Sequence, residues 1–106
     1  MAAPGPKAKA EITGLMDSLV KSGCQFQRKG DWYDAAQARA HLQRKYDYLL
    51  KKDLVHTSEQ FIQRAASKSS LSGRSYRVKC AGEEQDAAAW FGEQLQRLRH
   101  AATAPR

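Results

Sequence analysis

The sequence predicts an α+β fold: four helices packed on a small two-stranded antiparallel sheet, in the order helix, strand, helix, helix, strand, helix. Three observations carry it. Apolar residues recur at helical intervals in four segments, two short segments alternate apolar and polar residues, and two cysteines fall on the apolar side of those alternating segments. With 106 residues the chain forms one domain with one core. The expected division is a flexible lead-in over 1–8, rich in Pro and Gly, a single folded unit over 9–100, and a frayed tail over 101–106.

From about Lys9, the residues Ile12, Leu15, Met16, Leu19 and Val20 share one helical stripe, which Gly23 ends. In CQFQRKGDWYD, Cys24, Phe26 and Arg28 alternate with Gln25 and Gln27 as a half-buried strand, and Gly30 turns the chain. Asp34 then caps a second helix whose buried side is Ala35, Ala38, Leu42, Tyr46 and Leu49, with Arg39, Gln43, Lys51 and Lys52 facing water. Trp32 and Tyr33, after the turn, are expected to pack against that helix as a lid. Thr57 and Gln60 have capping-box spacing and open a short third helix with Phe61, Ile62, Ala65 and Ala66 on its apolar side. Tyr76, Val78 and Cys80 alternate with Arg77 and Lys79 as the second strand, apolar on one face and basic on the other, and Gly82 marks its exit. Asp86 caps a last helix carrying Trp90, Phe91, Leu95 and Leu98, and Arg97, Arg99 and His100 complement its C-terminal dipole. No internal repeat is visible.

Cys24 begins one strand and Cys80 ends the other, both on the apolar face, so antiparallel pairing makes them neighbours. A disulfide there closes a long loop; the other reading is two buried thiols in a reducing compartment. No apolar run approaches the ~18 residues that a spanning helix requires, and MAAPGPKAKA lacks the hydrophobic segment of a signal peptide. That second property also fits a mature exported chain without its leader.

The net charge of +7, from 18 Lys and Arg against 11 Asp and Glu, favours anionic partners without choosing among nucleic acid, lipid and acidic glycan. No acidic residue falls between Glu59 and Glu83, where Arg64, Lys68, Arg74, Arg77 and Lys79 lie. Within that interval SKSSLSGRSYRVKC invites three readings. An anion cradle is formed by loop backbone donors with Lys68, Ser69, Ser70, Ser72, Gly73, Arg74, Arg77 and Lys79. Alternatively, the hydroxyls satisfy the end of the third helix and Gly73 supplies a turn. In the third reading, Ser67, Ser69 or Ser70 acts as a nucleophile with His41 as base, although no GxSxG occurs. His56 is the other candidate imidazole. Two cysteines and three histidines, none paired at ligand spacing, offer no metal site, and no P-loop motif is present.

The segments SGCQFQRKGDWYDAAQARAHLQRKYDYL and SEQFIQRAASKSSLSGRSYRVKCAG together resemble the YfeK-like family of small bacterial proteins of unknown function, from about Ser18 to Gln96. Lys29 stands where that family commonly has Asn before the turn glycine, and Ser75 where it often has Pro. The resemblance implies export to the periplasm or cell envelope and fits the disulfide; it implies no activity. The expectation is therefore an exported, monomeric, nonenzymatic protein without cofactor, binding an anionic ligand or envelope partner through the Ser67 to Lys79 surface. A cytosolic nucleic-acid binder is the alternative, and a serine hydrolase the third reading.

Overall fold

The computed structural model of the chain describes residues 4–69 and 73–103. Helix α1 (Pro6–Ser22) leads into strands β1 (Gln25–Arg28) and β2 (Asp31–Tyr33), then helix α2 (Ala35–Lys51). A short helix α3 (Ser58–Phe61) continues into a π-helical turn, Ile62–Ala66, followed by β3 (Arg77–Cys80), β4 (Glu83–Asp86) and α4 (Ala87–Thr103). The sheet has four antiparallel strands in the order β2-β1-β3-β4, where two were expected.

Both extra strands come from two-residue hairpin turns. Lys29 and Gly30 have φ of 53° and 84°, and Ala81 and Gly82 have 52° and 85°. Two successive positive φ values are the type I′ geometry that folds a strand straight back on its neighbour. β2 is three residues long, and β4 is the fully polar EEQD, so neither shows the alternation by which a half-buried strand is recognised. β4 is instead a charged edge strand, which discourages pairing with another chain. Glu84 lies opposite Lys79 and Asp86 opposite Arg77.

The two halves repeat. Gln25–Asp34 and Arg77–Asp86 match position for position: strand, I′ turn, strand, Asp, then a helix of 17 residues that opens on two alanines. Phe26 and Val78 are equivalent residues of the two units and pair directly with each other, so a pseudo-two-fold axis passes between them. The repeat was invisible in the sequence because what is shared is backbone geometry; the side chains differ almost throughout.

Phe26 and Val78 face the helices and are fully buried. Extending their register two residues outward places Cys24 opposite Cys80, and these form a disulfide with a Cα separation of 4.6 Å, the spacing of a directly opposed antiparallel pair. Over them lies α1, which packs against α2, α3 and α4 and buries Ile12, Leu15, Met16 and Leu19. Val20, expected on that stripe, is 43% exposed because the stripe ends at Leu19 as the helix runs out at Gly23. Pro6 opens α1 at its first turn, where a missing N–H costs nothing, so residues 6–8 of the expected lead-in are helical. Likewise α4 runs through Thr103, into the expected tail. The ends, 1–3 and 104–106, lie outside the described residues.

Ala35, Ala38, Leu42, Tyr46 and Leu49 are the buried side of α2, and Asp34 with Gln37 forms a full capping box. Thr57 caps α3 by accepting from the Gln60 amide, but Gln60 Oε1 accepts from the His56 amide (2.7 Å), one residue before the position expected. Arg39 turns from water to Asp17 of α1 (2.9 Å), and Gln43 is half-buried. The carboxylate of Asp86, expected to cap α4, accepts from Arg77 Nη1 at 2.6 Å.

Arg99 knots three helices together. Its Nε and Nη2 donate to both oxygens of Glu11 on α1 (3.0 and 3.2 Å), and its Nη1 donates to Glu59 on α3 (2.7 Å). The buried Ser58 hydroxyl also donates to Glu11, at 2.6 Å. Hydrogen bonding from Arg99 holds both carboxyls below their ordinary value of 4.5.

Two predictions follow from this packing. The loop closed by Cys24 and Cys80 spans 56 residues, so Cys24→Ala with Cys80→Ala is expected to lose about 4 kcal/mol in urea unfolding; an unchanged midpoint would remove the disulfide from the stability account. Because Glu11 and Glu59 bind protons less readily when folded, their contribution is complete above pH 4.5 and fades as pH falls through their lowered values. Replacing both by Gln is expected to flatten the stability curve below pH 4.5, and parallel curves for the two proteins would contradict it.

Candidate functional site

The amphipathic spacing that buries Leu42 and Leu49 leaves His41, Lys45 and Tyr48 on an adjoining stripe of α2, one turn apart. Beside them the chain folds back, bringing up Arg64 of the π-helical turn and Lys68 after it. The result is a groove made of three hollows in series. The first, about 290 Å³, is lined by Arg28, Tyr33, Gln37, Ala38, His41 and Arg44, among others. The second, about 270 Å³, shares His41 and Arg44 and adds Lys45, Tyr48, Leu49 and Arg64. The third, about 530 Å³, shares Tyr48, Leu49 and Arg64 and reaches Leu54, Gln63 and Lys68. Among the described residues, five cations line the groove and no carboxylate lines any of its three hollows.

Two of the cations are held by neutral acceptors. Lys45 Nζ donates to the Lys68 carbonyl (3.2 Å) and to the Tyr76 hydroxyl (3.0 Å), and Arg64 Nη1 donates to the Leu54 carbonyl (2.6 Å). The Arg28 guanidinium lies 5.7 Å from the Tyr33 ring. Among the described residues none of the five cations is ion-paired to a carboxylate.

At the centre, His41 Nε2 lies 3.2 Å from the buried Tyr76 hydroxyl. A lysine only donates, so the Tyr76 oxygen accepts from Lys45, and the direction of the His41–Tyr76 bond follows the imidazole tautomer. Burial, reinforced by Arg28, Lys45 and Arg44, drives His41 down to about 4, so it is neutral at pH 7. Positive charges and an uncharged imidazole crowded together are stabilised by any anion that enters.

Of the residues expected in the anion cradle, Lys68 enters this groove, where it joins His41 and Arg64. Ser69 is buried; its N–H donates to the Arg74 carbonyl (3.0 Å) and its own carbonyl accepts from Gly73 N–H (2.9 Å). Gly73 has φ of 72°, as a turn glycine requires. These two amides, expected in an anion cradle, thus close the turn upon itself. Ser70 and Ser72 lie outside the described residues. Arg74 stands at the exposed turn. Arg77 and Lys79 occupy the opposite face of the sheet from Phe26: Arg77 bonds Asp86 and Glu84, and Lys79 Nζ lies 4.9 Å above the Trp32 ring. Trp32 is therefore no lid against α2; its partner in register is Gln27, on that outer face.

Ser67 Oγ donates to the Ile62 carbonyl (2.6 Å), closing the π-helical turn, and His41 is engaged by Tyr76. The one SxxK spacing, Ser18 to Lys21, was passed over in the sequence; Ser18 Oγ donates to the Gly14 carbonyl within α1. His56 Nε2 meets Asp53 Oδ1 at 3.0 Å. Among the described residues no cluster of His, Cys, Asp and Glu forms a metal site, and no helix is long and apolar enough to cross a membrane.

A family model described as a family of unknown function (DUF5329) matches residues 6–99. The uncharacterized protein YfeK of Salmonella typhimurium is 33% identical over 69 residues, covering 64% of this chain and 56% of the relative. The chain thus spans just over half the length of that curated relative. No solved structure matches it.

The His41 environment carries a pH signature. Its folded value lies below the ordinary 6.5, so its contribution to stability is complete above pH 6.5 and is lost as pH falls toward about 4. Proton NMR is expected to show this imidazole titrating near 4, and His41→Gln to flatten the stability curve over that window. An imidazole titrating near 6.5 would show that the cations do not converge on it.

Proposed function

Since the chain belongs to the DUF5329 family of unknown function, its reading starts from its own geometry, and we propose that it is an exported, nonenzymatic protein that binds an anionic ligand or partner in the groove along α2. The observation that carries this reading is the set of five cations, Arg28, Arg44, Lys45, Arg64 and Lys68, lining a groove without a carboxylate. Uncompensated cations repel one another and destabilise the folded chain, so such a groove is maintained against its own electrostatics. A phosphate, sulfate or carboxylate group resting there converts the repulsion into charge-assisted hydrogen bonds. The serine and glycine turn supplies one wall through Lys68, and the outer face of the sheet, where Arg77 is paired with Glu84 and Asp86, contributes little.

Export is supported by the Cys24–Cys80 bond, since disulfides persist in oxidising compartments. A nonenzymatic role is supported by the engagement of the candidate nucleophile and base: Ser67 closes a helical turn and the His41 imidazole is hydrogen-bonded to a buried tyrosine. The same bond weighs against the cytosolic nucleic-acid reading, which requires free thiols.

Titration with inorganic sulfate tests the proposal, since sulfate keeps its charge across the relevant pH range. Saturable shifts of the amides around His41, Arg44, Lys45 and Arg64 are expected, with affinity rising as pH falls from 6.5 toward 4 because a bound anion restores the proton affinity of His41. Arg44→Gln with Lys45→Gln is expected to weaken binding by about tenfold or more. Shifts confined to residues 73–79, or none, would refute the groove.

A further inference from the structure

We propose that the groove belongs to a membrane-docking face whose partner is the surface of a bilayer rich in anionic lipid. This inference rests on the anion-binding reading above and names its partner.

Among the described residues three large hydrophobic side chains are exposed, and two of them, Tyr48 (57%) and Leu54 (43%), line the same hollow of the groove. Neither gives the fold what a buried side chain gives, and Leu54 is presented rather than loosely placed. The chain leaves α2 through Asp53 in a left-handed conformation (φ 58°), which aspartate tolerates better than most side chains. The Leu54 N–H then donates to the Leu49 carbonyl (2.8 Å), and its own carbonyl accepts from Arg64 (2.6 Å). Both backbone groups of Leu54 are satisfied while its side chain stands out toward solvent. Tyr48 stands on the last turns of α2 with Lys52 Nζ 5.9 Å from its ring.

Arg44, Lys45, Lys52, Arg64 and Lys68 border these two side chains. An apolar residue and an amphipathic aromatic within a ring of cations match a bilayer surface. The lipid phosphates meet the cations, tyrosine sits at headgroup level, and leucine enters the acyl boundary. Each lysine or arginine near an anionic surface is worth roughly fivefold in affinity, so several together suffice for reversible docking. Two acidic groups lie nearby, Asp53 bonded to His56 and Asp47 accepting from Gln43, and the five cations outnumber them. A single-stranded nucleic acid would use a series of exposed aromatic platforms, whereas Tyr33, the other tyrosine lining the groove, is half-buried beside Arg28.

Co-sedimentation with vesicles of phosphatidylglycerol and phosphatidylcholine, against pure phosphatidylcholine, tests the docking, and an NMR titration with soluble glycerol 3-phosphate separates lipid from free phosphate. The protein is expected to bind the anionic vesicles at least tenfold more tightly than the neutral ones. Tyr48→Ser with Leu54→Ser, both surface changes checked for folding by circular dichroism, is expected to lose about tenfold in vesicle affinity. Vesicle binding that ignores lipid charge, or that survives the double substitution unchanged, overturns the membrane partner. If glycerol phosphate, an acidic glycan or single-stranded DNA shifts the groove amides while vesicles do not bind, the docking fails and the anion reading stands. If none of these ligands binds, both fail.

Discussion

The pairing of β1 with β3 is the constraint on which the remaining architecture depends. It sets Phe26 against Val78 at the centre of the sheet, and every other strand contact is a short hairpin hung from one of these two. A one-residue slip would turn one of these two side chains to the solvent face and separate the cysteines. The disulfide therefore does more than restrict the unfolded chain: it admits a single register. With that register fixed, the two I′ turns send β2 and β4 back along the outer edges, and each hairpin delivers its following helix to the same side of the sheet. Helix α1 fills the space between, and the Arg99 bonds to Glu11 and Glu59 hold the helices where the sheet puts them.

Given this symmetry, the groove stands out as an asymmetry. The repeat equivalents of Arg28, His41, Arg44, Lys45 and Tyr48 are Cys80, Glu93, Gln96, Arg97 and His100. The backbone scaffold is thus present twice, but the concentration of unpaired cations exists in one copy. Nothing in the fold demands it, since the second unit packs its helix equally well without it. A property that differs between two copies of one scaffold is better explained by what the surface touches than by what the core requires.

Much of the fold was legible where burial writes a pattern. The buried side of α2 reads directly from its spacing, and the cysteine pair from its shared parity on two strands. What could not be read was written in backbone terms. β4 is polar because its outer residues meet Arg77 and Lys79, so its side chains carry no strand signal; only the Gly82 turn marked it. The site was half legible for a similar reason. Lys68 drew notice as part of a basic interval, yet Arg44, Lys45 and Tyr48 occupy the polar side of a helix, where charge ordinarily means solvation. Only the fold-back that brings Arg64 and Lys68 beside them makes that side a wall. The serines misled because a run of hydroxyls resembles chemistry, while Ser67 and Ser69 serve local closure.

The closed covalent loop has a further consequence. Cys24 precedes β1 and Cys80 ends β3, so every residue lining the groove, from Arg28 to Lys68, lies inside the ring that the bond completes. A protease that cuts any peptide bond within that ring produces a nicked protein whose two pieces stay tethered, with both walls of the groove still facing each other. Outside the ring lie α1, β4 and α4, the clamp rather than the grip. In surroundings that hold proteases but no reductant, such a chain survives a cleavage as one molecule.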